Sequence, residues 1–406
     1  MPLISAKQKP ITDQQRIKES NLKFIFDAIL RSEAVSRSEL AQRSGLSPTT
    51  VYSLVDEMID GGVVSEIGAE AGAEETAKVG RRPQLLRINS EGAFIACAWL
   101  SRAHIQCQLF DLKCNVVHTR RKRLSQPVDY NAEIQSGLDE MRGLVAPGRL
   151  LGLCVALPAV IGRKNRQLNS TVLHVEGDKS MLSYLEAIPL DMPVVLGNES
   201  IFYTYAEKAA YSPSDIRNML YVNIGAGVGA GIFLNGEIYM GSTGLAGEIG
   251  HMTLDMNGRP CECGGRGCLE RYVCVPAILE SYAQEKKICA SDIAFEDFVA
   301  ALSNGEPAAE AVAAEAARCL AAGIESAINL LDIDTVVLGG EISLMGEPFL
   351  QQIGKNMFAT INKAASRCRV CYARLDRGAC LLGMAKYFLD NVFQLSLEYA
   401  QKLYII

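Results

Sequence analysis

The sequence predicts an α/β protein with a small, mainly helical unit at the N-terminus and a duplicated α/β domain behind it that carries a metal-holding loop. Three observations predict this. Residues 1–90 follow the periodicity of three short helices and two strands. From Phe94 onward a strand-strand-strand-helix-strand-helix order runs once and then begins again near Leu220. Within the second copy, Gly247-Glu248-Ile249-Gly250-His251 is followed by Cys261-Glu262-Cys263 and Cys268-Leu269-Glu270.

In the N-terminal unit, apolar residues recur at helical spacing from Ile17 through Phe24, Ile25, Ala28 and Ile29. A second helix opens at Ser36-Arg37-Ser38-Glu39, a capping box that satisfies free amides at a helix start. Gly45-Leu46 supplies a sharp turn, and Ser47-Pro48 places an N-cap and a first-turn proline at the head of a third helix. That helix buries Val51, Leu54, Val55, Met58 and Ile59. Helix, tight turn, helix is a helix-turn-helix, whose last helix enters the major groove by its N-terminal end. Ser47, Thr49, Thr50, Tyr52 and Ser53 are therefore the candidate base-reading side chains.

Gly61-Gly62 ends the third helix, and Val63–Ile67 and Gln84–Ile88 read as two strands, the wing of a winged helix. A polar insert from Gly68 to Val79 separates them, and Arg81 and Arg82 at the return suit a minor groove. A small helical bundle for protein contact fits the same pattern. Charge does not decide between them, because residues 1–90 hold twelve Lys/Arg and twelve Asp/Glu.

In the duplicated domain the first copy has strands Phe94–Leu100, His104–Asp111 and Val116–Arg123, a helix Asn131–Leu144, and buried strands Leu151–Leu157 and Val194–Gly197. The second has Leu220–Ile224 and Gly231–Leu234 closed by the hairpin turn Asn235-Gly236, a long Ala-rich helix Ala308–Leu331 and a buried strand Thr335–Leu338. Expected units are 1–90, then a first lobe 91–198 with a C-terminal helix 379–406 packed back on it, then a second lobe 199–378. A cleft between lobes is where small ligands bind. Gly225, Gly227, Gly229 and Gly231 stand at alternate positions ahead of the strand Gly231–Leu234 and fit either a close-approaching ligand or a bend at a sheet corner.

One histidine and three thiolates fill the tetrahedral shell of zinc, so His251, Cys261, Cys263 and Cys268 are the candidate metal ligands. A filled shell has no place for a catalytic water, which makes the zinc structural, a brace for Glu248 and Glu270. Chance clustering is the alternative in a chain with 13 cysteines.

The length of 406 residues and a 49% hydrophobic content allow more than one domain and a sizeable core. A net charge of −6 announces no nucleic-acid or membrane partner by its overall field. The N-terminus lacks a signal peptide's apolar core, and no apolar run approaches the roughly 20 residues that span a bilayer. Unpaired thiols point to a reducing cytoplasm, so a cytoplasmic protein without membrane insertion is expected.

Together these pieces resemble the ROK family of repressors, open reading frames and sugar kinases, from the winged helix to Gly378–Ala385. The resemblance implies an actin-like, ribonuclease-H-like duplicated ATPase fold, and a fused helix-turn-helix is similar to the family's transcriptional branch. It implies that His251, Cys261, Cys263 and Cys268 hold zinc, and that Asn198, Glu199, Glu248, His251 and Glu270 form the effector site for a sugar or sugar phosphate. Two departures bear on chemistry. Glu199 stands where the kinases carry the aspartate that deprotonates the sugar, and about 1 Å of misplacement costs on the order of 10²-fold in rate. The Asp-x-Gly-Gly-Thr turn that holds ATP phosphate is replaced by Ala98-Trp99-Leu100-Ser101-Arg102-Ala103. The family's Pro-Gly is Pro158-Ala159, which bears on which sugar fits. The expectation is a non-enzymatic, sugar-responsive repressor of carbohydrate genes acting on operator DNA as a homodimer or tetramer, with control by a protein partner as a further reading. The alternative is an ATP-dependent, glucokinase-like sugar kinase with a fused DNA-binding domain.

Overall fold

The computed structural model describes residues 13–67, 84–162, 166–170, 172–188, 192–211, 216–357, 368–376, 378–393 and 403–406. Arg81, Arg82 and the insert before them lie outside the described residues.

The N-terminal unit runs α1 (Asp13–Leu30), β1 (Val35–Ser36), α2 (Arg37–Ser44), α3 (Pro48–Asp60), β2 (Val64–Ile67) and β3 (Leu85–Ile88). The three strands form one antiparallel sheet in the order β1-β3-β2. Local chemistry dictates the turn. The Ser36 hydroxyl accepts from the Glu39 amide while the Glu39 carboxylate accepts from the Ser36 amide at 2.8 Å, Gly45 adopts a left-handed φ of 68°, and Ser47 caps α3 ahead of Pro48. The apolar face of α1 differs from the expected one. Leu22, Ile25, Phe26 and Ile29 are buried, whereas Ile17 and Phe24 are 61% and 48% exposed. Phe24 follows Leu22 by two residues, about 200° round the helix, and so points away from the buried stripe.

The first lobe comprises β4 (Phe94–Leu100), β5 (His104–Asp111), β6 (Val116–Arg123), α4 (Tyr130–Gly143), β7 (Leu150–Leu157), β8 (Val160–Gly162), β9 (Gln167–Ser170), β10 (Val175–Asp178), α5 (Ser180–Ala187) and β11 (Val194–Asn198), and α6 (Glu199–Ala209) follows it. The second comprises β12 (Met219–Ile224), β13 (Val228–Leu234), β14 (Glu237–Ile238), α7 (Glu270–Val273), α8 (Val275–Lys286), α9 (Phe295–Ser303), α10 (Pro307–Leu331), β15 (Thr335–Gly340), α11 (Gly346–Met357) and β16 (Arg369–Tyr372). Then come α12 (Ala379–Tyr387) and β17 (Leu403–Ile405).

The duplication is visible in the sheets. β6-β5-β4-β7-β11 and β14-β13-β12-β15-β16 share order and sense, two antiparallel pairings followed by two parallel ones. β8, β9 and β10 form a separate small sheet that the sequence pattern did not signal. The C-terminal segment departs from the helix expected over 379–406. α12 ends at Tyr387 in a wider turn over Phe388–Val392, and β17 pairs in parallel with β11, extending the first sheet. Leu403, Tyr404 and Ile405 suit the edge of such a sheet better than a helix.

α6 and α12 lie between the two sheets and pack on each other, α6 also against β12 and β13, α12 against β4 and β7. Small residues permit this closeness. A Cβ at Gly383 of α12 would come within 1.9 Å of the Phe202 carbonyl, and one at Gly231 of β13 within 1.9 Å of the Thr204 hydroxyl. One hydrophobic core runs without a break from α1, α3 and β3 through Ile95 and Cys97 of β4 to α6, α12 and Phe393. The winged helix is thus seated on the larger domain.

Candidate functional site

A cavity of about 1400 Å³ opens between the lobes where the strands of both sheets end. Asn198, Glu199, Glu248, His251 and Glu270, the five candidate effector residues, all line it. Asn198 ends β11 and caps α6, its oxygen accepting from the Ser200 amide and its amide donating to the Ala159 carbonyl at 2.9 Å. Ala159 itself lines the cleft beside Pro158. Glu270 opens α7, and its Oε2 accepts from the Val228 amide at 2.8 Å, which fixes it to the start of β13.

The glycine-rich run spans the turn between β12 and β13 and the start of β13. Gly229 and Gly231 leave room for Ser200 and Thr204 of α6, and Gly225, Gly227 and Gly229 line the cleft. A Cβ on Gly227 would approach Glu270 Oε2 to 2.9 Å. Gly340, the last residue of β15, and Glu341 after it also reach the cleft.

Glu199 has two partners that the sequence did not reveal. Trp99 Nε1 donates to its Oε2 at 2.6 Å, and Asn223 Nδ2 donates to its Oε1 at 3.2 Å. Trp99 belongs to β4 of the first sheet and Asn223 to β12 of the second, so one carboxylate joins both lobes. Burial pushes the Glu199 carboxyl up to about 7, with both hydrogen bonds pulling the other way. Burial also raises Glu248, opposed by His251 and reinforced by Glu270. Among the sequence signals, Trp99 could have been found as the chain's one tryptophan, at the turn that departs from the kinase pattern.

The ring nitrogen of His251 and the sulfurs of Cys261, Cys263 and Cys268 lie within 4.8 Å of one another. Cys263 and Cys268 sulfurs are 3.7 Å apart, and Cys261 Sγ is 3.8 Å from His251 Nδ1. Metal–sulfur bonds of ~2.3 Å in a tetrahedron separate sulfurs by ~3.8 Å, so the residues fit a metal ion. The loop around them is tied down by its backbone. Cys261 N donates to the Gly265 carbonyl, Gly264 N to the Cys261 carbonyl, and Leu254 N to the Gly267 carbonyl. Gly267 has a φ of 65°, and a Cβ there would overlap the Asp255 carbonyl at 1.7 Å. Arg259 lies over the Tyr272 ring at 4.9 Å and donates to the Arg271 carbonyl, fastening the loop to α7.

On the winged helix, Thr49, Tyr52 and Ser53 are exposed along the early face of α3. Ser47 is exposed as well, but its oxygen accepts from the Thr50 amide at 3.1 Å and meets the half-buried Thr50 hydroxyl at 2.8 Å. Arg37, unread in the sequence, lies 5.1 Å from the Tyr52 ring and pairs with Asp56 at 2.7 Å and with Glu66, binding α2, α3 and β2 together. Arg149 joins this unit to the first lobe, donating to the carbonyls of Gly61 at 3.3 Å and Gly92 at 2.7 Å. Among the described residues, no helix is long and apolar enough to cross a membrane.

Fold and site define a winged helix-turn-helix joined to a two-lobed, actin-like α/β domain with a His/Cys cluster whose spacing fits a metal ion. Residues 100–391 match the ROK family, and residues 25–65 match a winged helix-turn-helix DNA-binding domain. The chain belongs to the ROK family. It is 30% identical over 290 residues to a xylose repressor of Bacillus spizizenii, covering 70% of this chain and 73% of that protein. The crystal structure of a ROK family transcriptional regulator, a homologue of the E. coli MLC protein, superposes with a TM-score of 0.76 at 24% identity, covering 92% of this chain and 98% of that one. A ROK family glucokinase from Streptomyces griseus, in complex with glucose and AMPPNP, superposes with a TM-score of 0.62 at 18% identity over 72% of this chain and 98% of its own.

Proposed function

We propose that the chain is a sugar-responsive transcriptional repressor of carbohydrate genes, binding operator DNA as a homodimer and releasing it when a sugar or sugar phosphate occupies the cleft. The observation that carries this is the continuity of α6 and α12 between cleft and winged helix. Glu199 begins α6, and Asp376 and Gly378 line the cleft just before α12. At the other end Tyr205 of α6 donates to Asp390 at 2.5 Å, Phe393 meets Phe26 of α1 edge-on at 5.2 Å, and Asp390 lies 4.0 Å from Lys23 of α1. Lobe closure around a ligand therefore shifts the seat of the DNA-binding unit. A coupling of about 1–3 kcal/mol suffices for a 5–150-fold change in operator affinity.

In this reading Thr49, Thr50, Tyr52 and Ser53 face base edges with Ser47 at the helix cap, and Arg81 and Arg82 serve the wing. Asn198, Glu199, Glu248 and Glu270 bind hydroxyls, since carboxylates form strong charge-assisted hydrogen bonds. His251, Cys261, Cys263 and Cys268 hold zinc that braces Glu248 and Glu270, and the protein works in the cytoplasm. No phosphoryl transfer occurs in this reading, because the position of the phosphate turn is taken by Ala98 through Ala103 and Glu199 is engaged by Trp99.

The test is selection of bound sequences from random duplex DNA at near-physiological salt, with and without D-xylose, D-glucose, N-acetyl-D-glucosamine and their phosphates. An inverted repeat lost in the presence of one sugar supports the reading. Failure to enrich any sequence, or enrichment indifferent to every sugar, sinks it, and ADP release with a hexose would replace it with the kinase.

A further inference from the structure

We infer that Trp99 is a positioning residue of the sugar site, holding the Glu199 carboxylate ready for a ligand hydroxyl while its indole ring forms the apolar wall beside that hydroxyl. This rests on the reading of the cleft as a sugar site. Trp99 is the last inward-facing residue of β4 on the side occupied by Ile95 and Cys97, and its strand partner on β7 is the small Ala156. The small Cys97, Cys154 and Ala156 on that face leave room for an indole, and unlike its buried neighbours Ala98 and Leu100 Trp99 is only half-buried and lines the cleft. Aromatic walls with a few fixed polar groups are the usual construction of a small-ligand pocket.

The hydrogen bonds define the role. A carboxylate oxygen has two acceptor sites, and Trp99 and Asn223 use one on each oxygen, leaving one on each for a ligand. The two donors come from different sheets, so the rotamer of Glu199 is set jointly by both lobes. Removing the indole N–H frees the carboxylate to turn away and deprives it of its shorter hydrogen bond. Ligand affinity then falls by about tenfold, equivalent to ~1.4 kcal/mol.

Trp99 is the only tryptophan in the chain, so its emission reports on this one position. The full-length protein bound to fluorescently labelled operator is titrated with D-xylose, D-glucose, N-acetyl-D-glucosamine and their phosphates, recording operator release and tryptophan emission together. The expected result is that the sugar releasing the operator also changes Trp99 emission, with the same midpoint. Trp99→Phe, which keeps a ring but loses the N–H, then needs about tenfold more of that sugar. In a Glu199→Gln background the same substitution adds less than in the parent, because the two side chains act as a pair. Operator release with constant emission overturns the inference while leaving the repressor reading standing, and so does equal sugar sensitivity of Trp99→Phe and the parent. If no sugar moves either signal, the repressor reading falls and takes this inference with it.

Discussion

Replacing Glu199 by glutamine should stabilise the protein while weakening the sugar site proposed for the cleft. Glu199 sits half-buried at the meeting of the two sheets, and burial raises its carboxyl from the usual 4.5 to about 7. The folded value lies above the unfolded one, so the neutral form contributes stability that is full below the unfolded value and is lost as pH rises through the folded value. Each tenfold step in acidity is worth about 1.4 kcal/mol, so ionisation withdraws up to ~3 kcal/mol, of which ~2.5 kcal/mol falls between about pH 5 and pH 8. Water in the open cleft screens part of this, and an observable difference of about 1–2 kcal/mol is expected. The glutamine side chain keeps the shape and an oxygen for the indole N–H but has no charge to desolvate. Thermal unfolding of both proteins, followed at about pH 5 and about pH 8, should show the variant gaining roughly 2–6 °C over the parent at the higher pH and little at the lower. Comparing the two proteins at each pH cancels the titration of other groups. An equal difference at both pH values would refute the burial argument.

Three further outcomes are expected. Cys263→Ser removes an exposed thiol whose main contacts are the other ligands, so zinc bound per chain should fall well below one by elemental analysis; fresh parent protein free of zinc would refute the metal assignment. Tyr52→Phe keeps the ring beside Arg37 and removes only the hydroxyl, so affinity for the selected operator should fall about tenfold with affinity for random DNA retained. Equal loss on both DNAs would move base reading away from Tyr52. Phe393→Ala removes the edge-on contact with Phe26, worth about 0.5–1.5 kcal/mol, so the ratio of operator affinities without and with sugar should shrink two- to tenfold. An unchanged ratio would place the coupling elsewhere than the C-terminal segment.

The elements that announce themselves locally were legible in the chain. Ser36 with Glu39, Gly45, and Ser47 with Pro48 define the helix-turn-helix through hydrogen bonds that close within a few residues, and the structure keeps each of them. The duplicated strand order and the His251–Cys268 cluster were readable for the same reason, since periodicity and ligand spacing are properties of short segments. The seat of Ile17 and Phe24 was not readable, because which stripe of α1 is covered depends on α3, β3 and Phe393. The run 403–405 joins β11 across some two hundred residues of chain, and nothing within three residues encodes that pairing.

The candidate site divides along the same line. By sequence alone the chain determined its family, its cleft carboxylates and its His/Cys cluster, because each is a matter of residue type at a fixed spacing. Tertiary structure decided that Trp99 and Asn223 meet on Glu199, that Arg37 ties α2 to α3 and β2, and that Asp390 and Phe393, just beyond α12, meet Tyr205 of α6 on one side and α1 on the other. These are contacts between segments far apart in the chain, and only the packing of two sheets on a shared pair of helices brings them within hydrogen-bonding distance.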